Sequence, residues 1–83
     1  MIIFADQAWD DYQWWQANDR KMLPRLNKLI DAAHASPGVG IGKPERLTGN
    51  WSGYWSRRIT EEDRLVYRQD GENILIAQCR LHY

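Results

Sequence analysis

The stretch YWSRRITEEDRLVYRQDGENILIAQCRL, residues 54–81, decides the fold. Its runs Tyr54–Thr60, Leu65–Gln69 and Asn73–Leu81 are rich in aromatic and β-branched residues. Glu61-Glu62-Asp63 supplies the first turn, and Asp70-Gly71 is a strong signal for a tight hairpin. Three consecutive strands with short turns predict an antiparallel meander. Upstream, Met1 to Ala5 reads as a short β run and Asp6 as an N-cap. Trp9, Tyr12 and Trp15 follow at helical spacing, and Asn18 closes that helix. From Met22 to Ala35, Leu23, Leu26, Leu29, Ile30 and Ala33 repeat with a helical period, and Pro24 fits the first turn. Residues 36–53, SPGVGIGKPERLTGNWSG, read as a long loop with a very short strand near Glu45–Leu47. A loop of that length in so small a domain is often functional. The expected architecture is α+β: two N-terminal helices packed on one face of a small antiparallel sheet, in a single domain over residues 1–83.

Composition bounds the function without naming it. The 83 residues carry 11 basic and 11 acidic side chains, which excludes a polybasic tail or an acidic mimic. A lone Cys79 forms no internal disulfide, and with two distant histidines it gives no zinc pattern, so no metal and no cofactor are expected. The start MIIFADQAW has neither a basic region nor a long apolar run, so the chain is expected to be cytoplasmic, with no membrane contact. Five tryptophans compensate for a short core. Charge is unevenly placed: residues 1–19 hold four aspartates and no base, whereas residues 20–58 hold eight bases against two acids.

Alternation along the strands sorts the charged residues by face. Trp55, Arg57 and Ile59, Leu65 and Tyr67, and Leu75, Ala77, Cys79 and Leu81 are expected under the helices. The other face then collects Arg58, Arg64, Arg68, Arg80 and His82 with no acid among them. A solvated face of an antiparallel sheet is common. Like charges opposed across strands are nevertheless destabilising, and arginine is well suited to phosphate, so this face reads as an anion site. His82 is expected to continue the last strand and to act as an acid or base beside a phosphate, with Tyr83 stacking on a base. His34 reads as a helix C-terminal residue favoured by the dipole. Cys79 reads as a small core residue. Glu45, flanked by Lys43 and Arg46, is the only carboxylate in the loop. Spacing alone leaves it either a surface residue or a general base folded over the arginines.

The blocks AWDDYQWW (8–15), GKPERL (42–47), SGYWSRRITEEDRLVY (52–67) and CRLHY (79–83) together resemble the YoeB toxins of the RelE superfamily over essentially the whole chain. The resemblance implies a microbial-RNase-like α+β fold and a ribosome-dependent endoribonuclease that cuts mRNA in the A site. It implies catalytic roles for Glu45 (base), Arg64, His82 (acid) and Tyr83 (stacking). Phosphate binding falls to Arg58, with Lys43, Arg46, Arg68 and Arg80 as further basic candidates. Implied partners are a YefM-like antitoxin, the ribosome with its mRNA, operator DNA through the antitoxin complex, and a second copy of the chain. One departure stands out: Thr48 occupies a position where the family usually has an RNA-binding lysine, so phosphate contacts are expected to be fewer.

Two other readings predict different behaviour. A ribosome-independent RNase would cut naked RNA at a comparable rate. A non-catalytic antitoxin partner would have no need of Glu45, Arg58, Arg64, His82 and Tyr83 together.

Overall fold

The computed structural model describes residues 1–83. Strand β1 (Ile2–Phe4) leads into helix α1 (Asp6–Asn18), and a short 3-10 turn precedes helix α2 (Leu23–Ala35). Then come β2 (Glu45–Arg46), β3 (Trp55–Arg58), β4 (Arg64–Asp70) and β5 (Asn73–Gln78). The sheet order is β1-β5-β4-β3-β2. The expected meander is present, and Pro24 sits in the first turn of α2 as the sequence requires. A parallel β1–β5 edge completes a sheet that is otherwise antiparallel, as expected. No helix is long and apolar enough to cross a membrane.

One side of the sheet faces the helices. Ala8 and Trp15 of α1 and Leu26, Leu29, Ile30 and Ala33 of α2 pack with Leu65, Tyr67, Ile74, Ile76 and Cys79. Alternation alone puts Ile74 and Ile76 on the opposite face and Leu75 beneath the helices; the structure reverses both. The pairing shifts between Val66 and Tyr67, which oppose Gln78 and Ile76, leaving Ala77 unpaired as a bulge. A bulge inverts the alternation beyond it. Cys79 therefore remains under the helices although Leu75 does not.

Cys79 is where β5 is tied off. Its N–H donates to Asp11 Oδ2 (3.0 Å) and its carbonyl accepts from Trp15 Nε1 (2.8 Å), so α1 grips both backbone groups. Burial, reinforced by the Asp11 carboxylate, pushes the thiol pKa up to about 12 from an ordinary 9.0. Because the folded value is the higher one, the unfolded chain ionises first as pH rises. Stability is therefore retained below pH 9 and falls by about 1.4 kcal/mol per pH unit between the two values. Urea unfolding at pH 8 and pH 10.5 should show a loss of about 2 kcal/mol in the wild type from this group. Cys79→Ala should lack that share of the loss; an equal alkaline loss in the variant would contradict the assignment.

Arg57 explains how the long loop stays in place. It falls on the apolar face, as alternation requires, and is fully buried. Its Nε donates to the Tyr67 hydroxyl (2.9 Å) and Nη1 to the Ile41 carbonyl (2.8 Å). Nη2 donates to the carbonyls of Ser36 (2.7 Å), Val39 (2.8 Å) and Pro37 (3.3 Å). Arg58 N–H adds a 2.7 Å bond to the Gly42 carbonyl. The loop then lies so close to the core that a Cβ on Gly42, which has φ +86°, would come within 2.6 Å of Leu29 Cδ2. Lys43-Pro44-Glu45 leaves this anchored segment and enters β2.

Candidate active site

The face turned away from the helices is organised by register into cross-strand rows. Glu45 opposes Ser56, which opposes Val66, which opposes Gln78. Two residues further along, Arg58 opposes Arg64 directly. Side chains so opposed stand about 5 Å apart at Cβ. On the far side of the Glu45 row lies Arg68, paired with Leu75 and set over the Tyr54 ring at 5.9 Å. Ser56 and Val66 are buried, but neither belongs to the main core cluster.

Alternation predicts that this face is free of acids. It holds two: Glu45 and, because β4 runs to the hairpin, Asp70 at its far end. Glu45 is the one close to the arginine pair. Arg64 spends one nitrogen on the adjoining turn, where Nη1 donates to the carbonyls of Thr60, Glu61 and Asp63 at 2.8–3.1 Å. Arg58 is exposed.

His82 and Tyr83 reach this corner by a route the sequence does not indicate. The strand pattern has them continuing β5, but β5 ends at Gln78. Leu81 instead adopts φ +61°. Its N–H donates to Asp63 Oδ1 (2.7 Å) and its carbonyl accepts from Arg64 N–H (3.0 Å). The terminal pair therefore starts one residue from a backbone contact with Arg64. His82 Nδ1 lies 3.2 Å from the Tyr83 carbonyl. An oxygen there can only accept, so Nδ1 carries a proton, and Nε2 has no partner within the chain. The two rings lie 4.6 Å apart, inclined by 32°.

Of the remaining basic candidates, Arg46 and Arg80 are engaged elsewhere, and Lys43 follows Gly42, whose carbonyl accepts from Arg58 N–H. Arg46 is set over Trp55 (5.4 Å), and Arg80 stacks on Trp14 of α1 at 3.8 Å. Lys43 is exposed at φ +53°. His34 ends α2 as expected and donates through Nε2 to the Glu72 carbonyl (3.1 Å). A cavity of about 530 Å³ lies between β1 and the helices, lined by Ile2, Phe4, Trp9, Tyr12, Asn27, Ile30 and Asp31. It contains none of the site residues expected from the sequence and lies on the other side of the sheet.

Residues 4–83 match the family described as YoeB-like toxin of bacterial type II toxin–antitoxin system. Toxin YoeB of Escherichia coli K12 is 49% identical over 82 residues, covering 99% of this chain and 98% of the relative. Toxin YoeB of Synechocystis is 54% identical, with coverage of 99% and 95%. Among solved structures, the YoeB/ParE toxin from Agrobacterium tumefaciens superposes with a TM-score of 0.92 at 46% identity, covering 99% of this chain and 98% of that one. The heterotetrameric YoeB–YefM complex from Staphylococcus aureus gives 0.91 at 46%, covering 100% and 97%. Whole-chain identity near one half, together with the shared α+β fold, makes this chain a member of the YoeB-like toxins of bacterial type II toxin–antitoxin systems.

Proposed function

We propose that the chain is an endoribonuclease that cuts mRNA in the ribosomal A site by metal-free attack of a ribose 2′-hydroxyl. The observation that carries this reading is the directly opposed pair Arg58–Arg64, with Glu45 on one side and the anchored His82–Tyr83 end on the other. Two like charges facing each other across strands are costly unless an anion lies between them. A phosphodiester has the charge and the forked geometry that two guanidiniums recognise.

In this mechanism Glu45 takes the proton from the 2′-hydroxyl, which attacks the adjacent phosphorus. Arg58 and Arg64 hold the charge that builds on the non-bridging oxygens, each a contribution of about 3 kcal/mol in comparable sites. His82, protonated on Nε2, gives its proton to the departing 5′-oxygen. Tyr83 stacks on a base and keeps attacking and leaving oxygens in line. The products are a 2′,3′-cyclic phosphate and a 5′-hydroxyl.

The test is substitution of the attacking group. Ribosomes programmed with mRNA bearing a single 2′-deoxyribose at the cut position should give no product there, while neighbouring all-ribose messages are cut. Cleavage of the deoxy message at an undiminished rate would contradict the mechanism.

The partners are inferred from relatives. The Staphylococcus aureus structures comprise a YoeB–YefM heterotetramer and a YoeB dimer. We propose that this chain likewise binds a YefM-like antitoxin, represses its operon as that complex, pairs with a second copy of itself, and works in the cytoplasm.

A further inference from the structure

We infer that Asp63 is a positioning residue for the terminal His82–Tyr83 pair, and that the turn Thr60–Asp63 locks this pair to Arg64 as one rigid unit. The inference rests on the proposed catalytic function for its consequence, but on hydrogen bonds alone for its structure. Asp63 sits at the centre of three sets of contacts. Its Oδ2 accepts from Thr60 Oγ1 (2.7 Å), and Thr60 Oγ1 in turn accepts from the N–H groups of Glu62 (3.1 Å) and Asp63 (3.0 Å). This fixes the carboxylate's direction. The second oxygen, Oδ1, then accepts from Leu81 N–H at 2.7 Å, the short distance typical of a charge-assisted bond. The Asp63 carbonyl accepts from Ile59 N–H (3.0 Å) and from Arg64 Nη1 (3.1 Å).

One turn therefore restrains both the Arg64 guanidinium and the backbone one residue before His82. Leu81 needs such restraint. A leucine at φ +61° is in a sparsely populated conformation that persists only where its surroundings impose it. Without the Asp63 oxygen, the last three residues keep a single backbone tie to Arg64, the Leu81 carbonyl. They would relax toward ordinary φ and carry the imidazole away from the leaving oxygen. Misplacement by about 1 Å at a reacting centre can lower a rate by about 10²-fold.

The experiment compares Asp63→Ala with Asp63→Asn in the full chain, using two readouts. The first is the heteronuclear ¹H–¹⁵N NOE of residues 81–83 in the free protein. The second is single-turnover cleavage of mRNA on programmed ribosomes, resolved into the rate at saturating protein and the half-saturating concentration. Asp63→Ala should collapse the NOE at 82 and 83 and lower the saturating rate about 10- to 100-fold, with half-saturation unchanged within about twofold. Asp63→Asn retains an acceptor for Leu81 N–H and should restore both. If Asp63→Ala does not fold at assay temperature, Thr60→Val carries the test, with effects between wild type and the loss of the carboxylate.

An NOE that survives in Asp63→Ala overturns the lock. So does a collapsed NOE with an undiminished rate, or an Asp63→Asn variant as impaired as the alanine. If the wild type fails to cut mRNA at all, the catalytic reading falls while the NOE comparison still decides whether Asp63 orders the tail.

Discussion

His82→Ala is expected to lower the saturating rate of mRNA cleavage on programmed ribosomes by about 10²–10⁴-fold, and Glu45→Ala by a similar factor. Neither should weaken capture of the ribosome to that degree, since neither is among the arginines that neutralise phosphate. For His82 the expectation comes from its surroundings. Leu81 is held through both backbone groups, and Nδ1 is engaged with the Tyr83 oxygen, so in the imidazolium the Nε2 proton is the one left to donate. For Glu45 it comes from register, which places the carboxylate opposite Ser56 on the face of the Arg58–Arg64 pair. Because acid and base act on one transition state, the double variant should fall well short of the product of the two losses. Rapid quench under single-turnover conditions reads both values. Either variant within about threefold of wild type would remove that residue from the mechanism.

Arg57→Met is expected to cost about 3–5 kcal/mol, since neutral acceptors left without a donor cost about 1–3 kcal/mol each. Methionine fills similar space but donates nothing to the carbonyls of Ser36, Pro37, Val39 and Ile41 or to the Tyr67 hydroxyl. Those carbonyls belong to a loop whose Val39 and Ile41 side chains are exposed rather than packed. Ser36 and Pro37 keep donors in Val39 N–H and the Tyr67 hydroxyl, but the Val39 and Ile41 carbonyls lose theirs, each at a desolvation penalty. For a domain of this size Tm should fall by about 15 °C or more. Arg57→Lys keeps the charge and three donors in place of five, so it should recover part of the loss. Calorimetry of the three proteins reads the series. A shift below about 5 °C for Arg57→Met would mean that the loop is held by something else.

The features legible in the chain are local and periodic. The helical stripe from Leu23 to Ala33, the Asp70-Gly71 turn and the alternation in β3 and β4 are nearest-neighbour signals, and they place Arg57 inward and Arg58, Arg64 and Arg68 outward. The faces of β5 are not legible in this way, because the bulge at Ala77 leaves no mark in composition. The run NILIAQC (73–79) is apolar on both alternations, and only pairing with Val66 and Tyr67 selects one. The parallel edge is hidden for a related reason, since Ile2–Phe4 is short and its partner lies some seventy residues away. By residue type, Asp63 is a turn residue and Asp11 a helix acid. Their importance lies in bonds to Leu81 and Cys79, contacts of long sequence separation that residue type alone does not announce. Glu45 stays undecided in the sequence for the same reason: the loop that carries it is positioned by Arg57, and an arginine at an apolar position is the one available clue.

The most direct measurement is to add the purified chain to ribosomes programmed with a defined mRNA, mapping cuts by primer extension and identifying the new 3′ end. The same RNA without ribosomes runs alongside. Cuts confined to the A-site codon, dependent on the ribosome and ending in a 2′,3′-cyclic phosphate or its 3′-phosphate, are the predicted result. No cut on the ribosome, or equal cutting of the naked RNA, would contradict it.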